Sequence, residues 1–196
     1  MTYHKQVFGD EYGARKQMFE EMPPEERRRY YQELVASVSQ GAVPVQDLVT
    51  NYDGYPGREE FAVVVERYAV MDGNYSYLQL PGSLGGLLGL TQEERHYPLY
   101  RAGRTDVLLR FEVVMPEGYE HAVLTPPAVD WHYPADGGTV RTTSNYDEFT
   151  RTLKVEHRAN LNPSVVGTEL YDELLRMNRT LNHPAARTVL FERGDQ

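Results

Sequence analysis

The sequence predicts an α+β fold built mainly from antiparallel, β-sandwich-like sheets, with two or three helices. Short alternating or β-branched segments recur between turn signals, as strands of such sheets require. The breaks between them, among them Pro56-Gly57, Asp72-Gly73 and Pro126-Pro127, suit tight reversals better than long crossovers. Amphipathic helical spacing is confined to the opening segment and one late segment.

Residues 12–22 read as a short helix that Pro23-Pro24 stops. Pro24 suits the first turn of a second helix, with Glu25 and Glu26 near its positive end. Tyr31, Leu34, Val35 and Val38 then stand at i, i+3, i+4 and i+7, one buried stripe, and Gly41 closes the helix. A strand is expected over residues 46–52, followed by turns at Asp53-Gly54 and Pro56-Gly57. Residues 60–70 and 74–80 form the clearest hairpin, turning at Asp72-Gly73. Residues 81–90 (PGSLGGLLGL) form a Gly/Leu loop that lacks the parts of a phosphate-binding motif.

Residues 106–115 alternate, with Val107, Leu109, Phe111, Val113 and Met115 on one face, so Phe111 and Val113 read as core. Pro116 ends that strand and Gly118 permits the turn after it. Further strands are expected over 121–124, 129–133, 140–146 and 149–159, the last placing Phe149, Leu153, Val155 and His157 on one face. Asn162-Pro163 reads as the start of a helix. Its stripe is Leu170, Leu174, Met177 and Leu181, widened by Tyr171 and Leu175. Asn182-His183-Pro184 ends it before a closing strand over 188–192.

The 196 residues fit one compact domain. An internal boundary is expected near residues 101–105, between a helix-and-hairpin half and a β-rich half. Lys and Arg number 20 against 29 Asp and Glu, a formal net charge of −9. That sign argues against nucleic acid and anionic membranes as partners, since both recruit basic surfaces. Cysteine is absent, which excludes disulfides and thiolate chemistry within the chain. No apolar run reaches membrane-spanning length, so no membrane insertion is expected. The opening MTYHKQVFGD lacks the apolar core of a signal peptide and reads as a start inside a longer protein.

Little here points to catalysis. His121, His132, His157 and His183 lack metal-ligand spacing, and His157 shares an apolar strand face, the setting of a core or interface imidazole. No metal and no cofactor are expected. No GxSxG nucleophile elbow occurs. The acid pairs Asp130/Asp136 and Asp147/Glu148 fall at turns, where Asp bonds to local backbone. Arg27, Arg28 and Arg29 read as a solvated helix face paired with Glu25, Glu26 and Glu33. Asn74-Tyr75-Ser76 and Asn178-Arg179-Thr180 match glycosylation sequons, a short pattern that recurs by chance. Aromatics leave two readings open. Trp131, Tyr97, Tyr100 and Tyr119 either form a platform for a glycan or peptide or pack inside the sandwich. Leu87, Leu88, Tyr97, Tyr100 and Trp131 are thus the candidate interface or ligand surface.

Three stretches of the second half, FEVVMPEGYE with its downstream TPP, TLKVEHRANLNPSVVGTELYDELLRMNRTLN and TVLFER, carry a family likeness. They resemble the C-terminal domain of unknown function that follows the transglutaminase-like core in large bacterial proteins. The first half, with Arg95-His96-Tyr97-Pro98, is similar to the segment preceding that domain. The family's centre is a Cys-His-Asp triad in the upstream core, and a chain without cysteine has no residue to receive that nucleophile. The resemblance therefore implies a non-catalytic accessory domain, packing on or shaping the cleft of an upstream transglutaminase-like partner domain, in a cell-envelope or exported setting. The alternative is an independent glycan- or peptide-binding module.

Overall fold

In the computed structural model, residues 1–115 and 117–194 are described. The chain is α+β with strands outweighing helices. It divides into two compact units, Met1–Tyr68 and Ala69–Gln196. The residues near 101–105, where an internal boundary is expected, lie inside the second unit. Strand pairing explains the division. Residues 57–65 close a sheet with strands on both sides that precede them, whereas from Val70 onward every strand pairs within the second unit.

The first unit runs β1 (Thr2–Val7), α1 (Gly9–Glu21), α2 (Pro24–Val38), β2 (Ala42–Asn51) and β3 (Gly57–Val65), with sheet order β1-β3-β2, all antiparallel. The short β1 lies beyond what sequence alternation revealed, and β2 starts four residues ahead of the expected strand. Pro44 is tolerated there because β2 is an edge strand whose pairing shifts register on either side of Gln46. Val35 of α2 packs with Leu48, Phe61 and Val63, and Tyr31, Leu34 and Val38 border that core, as the helical stripe required. Of the basic triplet, Arg28 and Arg29 are exposed as expected, whereas Arg27 is half-buried, donates to Thr50 Oγ1 at 2.6 Å and lies over the Phe19 ring.

The second unit holds β4 (Val70–Asp72), β5 (Tyr75–Gln79), β6 (Leu99–Arg101), β7 (Thr105–Val114), β8 (Tyr119–Leu124), β9 (Val129–Tyr133), β10 (Gly138–Asp147), β11 (Thr152–Leu161), β12 (Ser164–Val166), α3 (Tyr171–Asn182) and β13 (Thr188–Arg193). Two four-stranded antiparallel sheets, β7-β11-β10-β9 and β4-β5-β13-β8, meet where the Tyr146 and Phe191 rings pack at 5.2 Å. The α3 residues Tyr171, Leu174, Leu175 and Leu181 fill a core with Trp131, Val140, Ala159 and Leu161.

Four local expectations are corrected. The hairpin partner of β5 is the three-residue β4, turning through Gly73 and Asn74, because residues 57–65 are already paired on both sides. Asn162-Pro163 does not start a helix: β12 intervenes, pairing Val165 with Tyr100 of β6, and α3 begins at Tyr171. Phe149 does not join the inner strand face. It stands in the β10–β11 turn, where Asp147 Oδ1 accepts from its N–H at 2.9 Å and from that of Thr150 at 3.2 Å. Phe111 and Val113 do point inward, but they are half-buried because β7 is the edge of its sheet. Pro116 lies outside the described residues.

These burials order the cost of truncation. Leu174→Ala, at a fully buried helix position, is expected to cost about 2–5 kcal/mol. Phe111→Ala is expected to cost less than Leu174→Ala at low chain concentration. Urea midpoints of the two variants check the order, and equal midpoints refute it.

Candidate functional site

The densest polar chemistry lies in the first unit. The sequence of β3 alternates so that Gly57, Glu59, Phe61 and Val63 face inward. Glu59 is therefore a fully buried carboxylate on an apolar face. Tyr52 donates its hydroxyl to Glu59 Oε1 at 2.6 Å, and Tyr30 donates to Oε2 at 3.0 Å. Arg15 Nη1 donates to the Tyr30 oxygen at 2.7 Å and stands 3.9 Å from Glu59 Oε1. Farther out, Glu11 accepts from Lys5 at 2.8 Å and from Arg15 Nε at 3.2 Å, and the Lys5 hydrogen bond leads in holding its carboxyl below the usual range. A Cβ at Gly57 would run into the Tyr52 ring, so glycine is what lets that ring reach the acid.

Chemically, this cluster sets two hydroxyl donors and a nearby guanidinium around one buried carboxyl group. Burial, then the neighbouring Glu59 carboxylate, pushes the Tyr30 hydroxyl up to about 12. Burial and the hydrogen bond to Glu59 push Tyr52 up further. Both remain protonated donors at neutral pH, and neither offers a phenolate nucleophile. The alternation of Arg58-Glu59-Glu60-Phe61 could have flagged an acid on an inner face. Its partners come from α1, α2 and the end of β2, which no local pattern joins.

In the second unit, His157 of β11 is buried opposite Thr142 of β10, with Nδ1 and Oγ1 2.9 Å apart. Its Nε2 has no hydrogen-bond partner among the described residues. A cavity of about 10 Å³ adjoins it, lined by Leu84, Val129, Thr142, His157, Thr180 and Leu181 among others. That is room for a single water and far short of a small-molecule site. No acid completes a triad around His157 in the hydrogen bonds and ion pairs of the described residues.

The five candidate surface residues separate. Trp131 is a correction: it is buried, with Nε1 donating to Glu173 Oε1 at 2.8 Å, so it presents no ring to a ligand. Leu87 and Leu88 are half-buried against the α3 core, and the Gly/Leu loop covers that core. Tyr97 and Tyr100 are 79% and 68% exposed. Tyr100 pairs across the β6–β12 ribbon with Val165, itself 57% exposed. Val165 and the almost fully exposed Phe149 escape sequence reading, because local pattern places both in other elements. Of the acids, Asp130 pairs with Arg141 at 3.0 Å and Asp147 serves its turn. Among the described residues, no group of three or more His, Asp or Glu could hold a metal ion, and no helix is long and apolar enough to cross a membrane. Comparisons of the chain with protein families, with curated proteins and with solved structures found no match.

Three outcomes follow. Glu59→Ala strands two hydroxyls and a guanidinium, and is expected to cost about 3–5 kcal/mol by urea unfolding. Tyr30→Phe, which removes one hydrogen bond to the acid, should cost about 1–3 kcal/mol. Burial lowers the His157 imidazole from its usual 6.5. On acidification the unfolded chain thus gains a proton before the folded one, so stability present above pH 6.5 declines below it. His157→Gln should flatten that decline below pH 6.5, and an unchanged slope would show that His157 does not contribute to it.

Proposed function

We propose that the chain is a non-catalytic accessory module that works by docking onto a partner domain, the partner implied by the family likeness being transglutaminase-like. One observation carries the docking reading: Tyr100 and Val165 stand side by side across the β6–β12 ribbon with most of their surface in water, close in sequence to the exposed Tyr97. Tyrosine with an aliphatic neighbour offers a flat apolar contact rimmed by a hydroxyl, the composition favoured at the centres of protein interfaces. The buried Glu59 cluster and the one-water cavity at His157 support the same reading, because each is built to hold structure and leaves no room for a substrate.

The second reading, a glycan- or peptide-binding module, rests on the Tyr97 and Tyr100 rings alone, since Trp131 is committed to the core. Hydrogen exchange separates the two. Mixing the chain with purified transglutaminase-like domains of its source organism should bring new protection to residues 97–101 and 164–166, and Tyr100→Ser should remove it. Absent protection, together with glycan or peptide binding that Tyr97→Ala and Tyr100→Ala abolish, would transfer the function to the second reading.

A further inference from the structure

Every sheet in the chain ends in edge strands, and most are guarded. β4 is three residues long and β9 five. β8 breaks register twice against β13, and β2 carries Pro44 and two register shifts. β7 has no such device. Its ten residues pair with β11 in one unbroken register and, among the described residues, have no strand on the other side. Long, flat, unguarded edges are templates for another strand.

The geometry tells which groups point outward. Met115 N–H donates to Arg151 O at 3.0 Å, continuing the β7–β11 ladder by one pair. Residues 113, 111 and 109 therefore spend their backbone groups on β11, and Leu108, Arg110, Glu112 and Val114 turn theirs to the free edge. The same four side chains lie on the outer sheet face, where Leu108 is 38% and Val114 65% exposed.

We propose that this edge pairs with β7 of a second copy of the chain, antiparallel about a two-fold axis at Phe111. In that register Arg110 faces Glu112 of the second copy, and Glu112 faces its Arg110. Leu108 meets Val114, so the two exposed apolar residues cover each other. On the inner face Phe111 meets its own counterpart, and Leu109 meets Val113. Moving the axis to Leu109 would set Asp106 against Glu112, and moving it to Arg110 would oppose two arginines. Opposite charges across a strand pair stabilise and like charges destabilise, so the axis at Phe111 is favoured over these two shifts. The two-fold relation is self-complementary, as a closed dimer requires.

The test uses the full chain. Sedimentation over a concentration series to about 1 mM should show a monomer–dimer equilibrium. Glu112→Pro removes an N–H that the fold does not use and fills the space the second strand needs, so it should weaken dimerisation about tenfold or more while circular dichroism and dilute melting stay close to native. Because the chain has no cysteine, Phe111→Cys gives a clean second readout. The paired Cα atoms would lie about 4.5 Å apart, within disulfide reach, and mild oxidation should cross-link the copies. Leu109→Cys, about 13 Å from its counterpart, should not cross-link. A chain monomeric throughout the series overturns the proposal. So does a dimer that Glu112→Pro leaves intact, or one in which the Leu109→Cys variant cross-links as readily as the Phe111→Cys variant, since either places the interface elsewhere.

Discussion

The inner face of the β7-β11-β10-β9 sheet is longer than any one element available to cover it. The ten-residue strands β10 and β11 run about 33 Å, while the 12 residues of α3 run about 18 Å. The chain divides the task. α3 covers the end with Val140, Ala159 and Leu161, and the second sheet covers the end where Tyr146 meets Phe191. His157 and Thr142 face each other between these ends, at the seam of the two covering layers. A polar pair there satisfies itself sideways, within its own sheet, and does not depend on how closely the layers meet. The one-water cavity beside it, bordered by the end of α3 and by Ala186 just before β13, is the space the seam leaves. This explains why the imidazole sits among apolar groups without any catalytic company.

The first unit meets a different constraint. Two helices on a three-stranded sheet bury little apolar surface, and small cores are marginal. Here a carboxylate occupies a central inner position, and its partners come from both helices and from the end of the neighbouring strand. A satisfied buried network adds directional bonds where a small apolar core would allow alternative packings. The aromatic rings Tyr12, Phe19, Tyr30 and Tyr52 pack against one another around it.

Local periodicity made most of the strands legible. The alternations along residues 106–115, 129–133 and 140–146 give the inner faces that the structure contains, and the α3 stripe is buried at Leu174 and Leu181 as its spacing requires. Elements of three residues were not legible. β6 and β12 exist because β7 and β11 bring Arg101 opposite Ser164, a pairing of residues far apart in sequence. Trp131 illustrates the limit for the candidate site. Alternation puts it on one face of β9 together with Tyr133, but only the arrival of α3 with Glu173 decides that this face is covered. Tyr100 has the same kind of pattern and the opposite fate, since it and Val165 across the ribbon keep most of their surface exposed.

Position within a sheet is likewise invisible to alternation, and this governs how β7 behaves. A strand's pattern states which side chains point inward, whereas its neighbours decide how deeply they are buried. On β11, flanked on both sides, Leu153 and Val155 are fully buried; on β7, flanked on one side, the residues paired with them, Val113 and Phe111, are not. With Leu108 and Val114 exposed on the opposite face, β7 carries apolar groups on both faces along a free edge. Guarded edges forgo some pairing to stay solitary, through prolines, bulges or short length. On the pairing proposed for β7, the missing neighbour is a second copy, so burial of Phe111 would be completed by association. Anything that binds only the folded state stabilises it by mass action. The half-buried edge would then couple the stability of the second unit to chain concentration, which the buried networks elsewhere in the molecule cannot do.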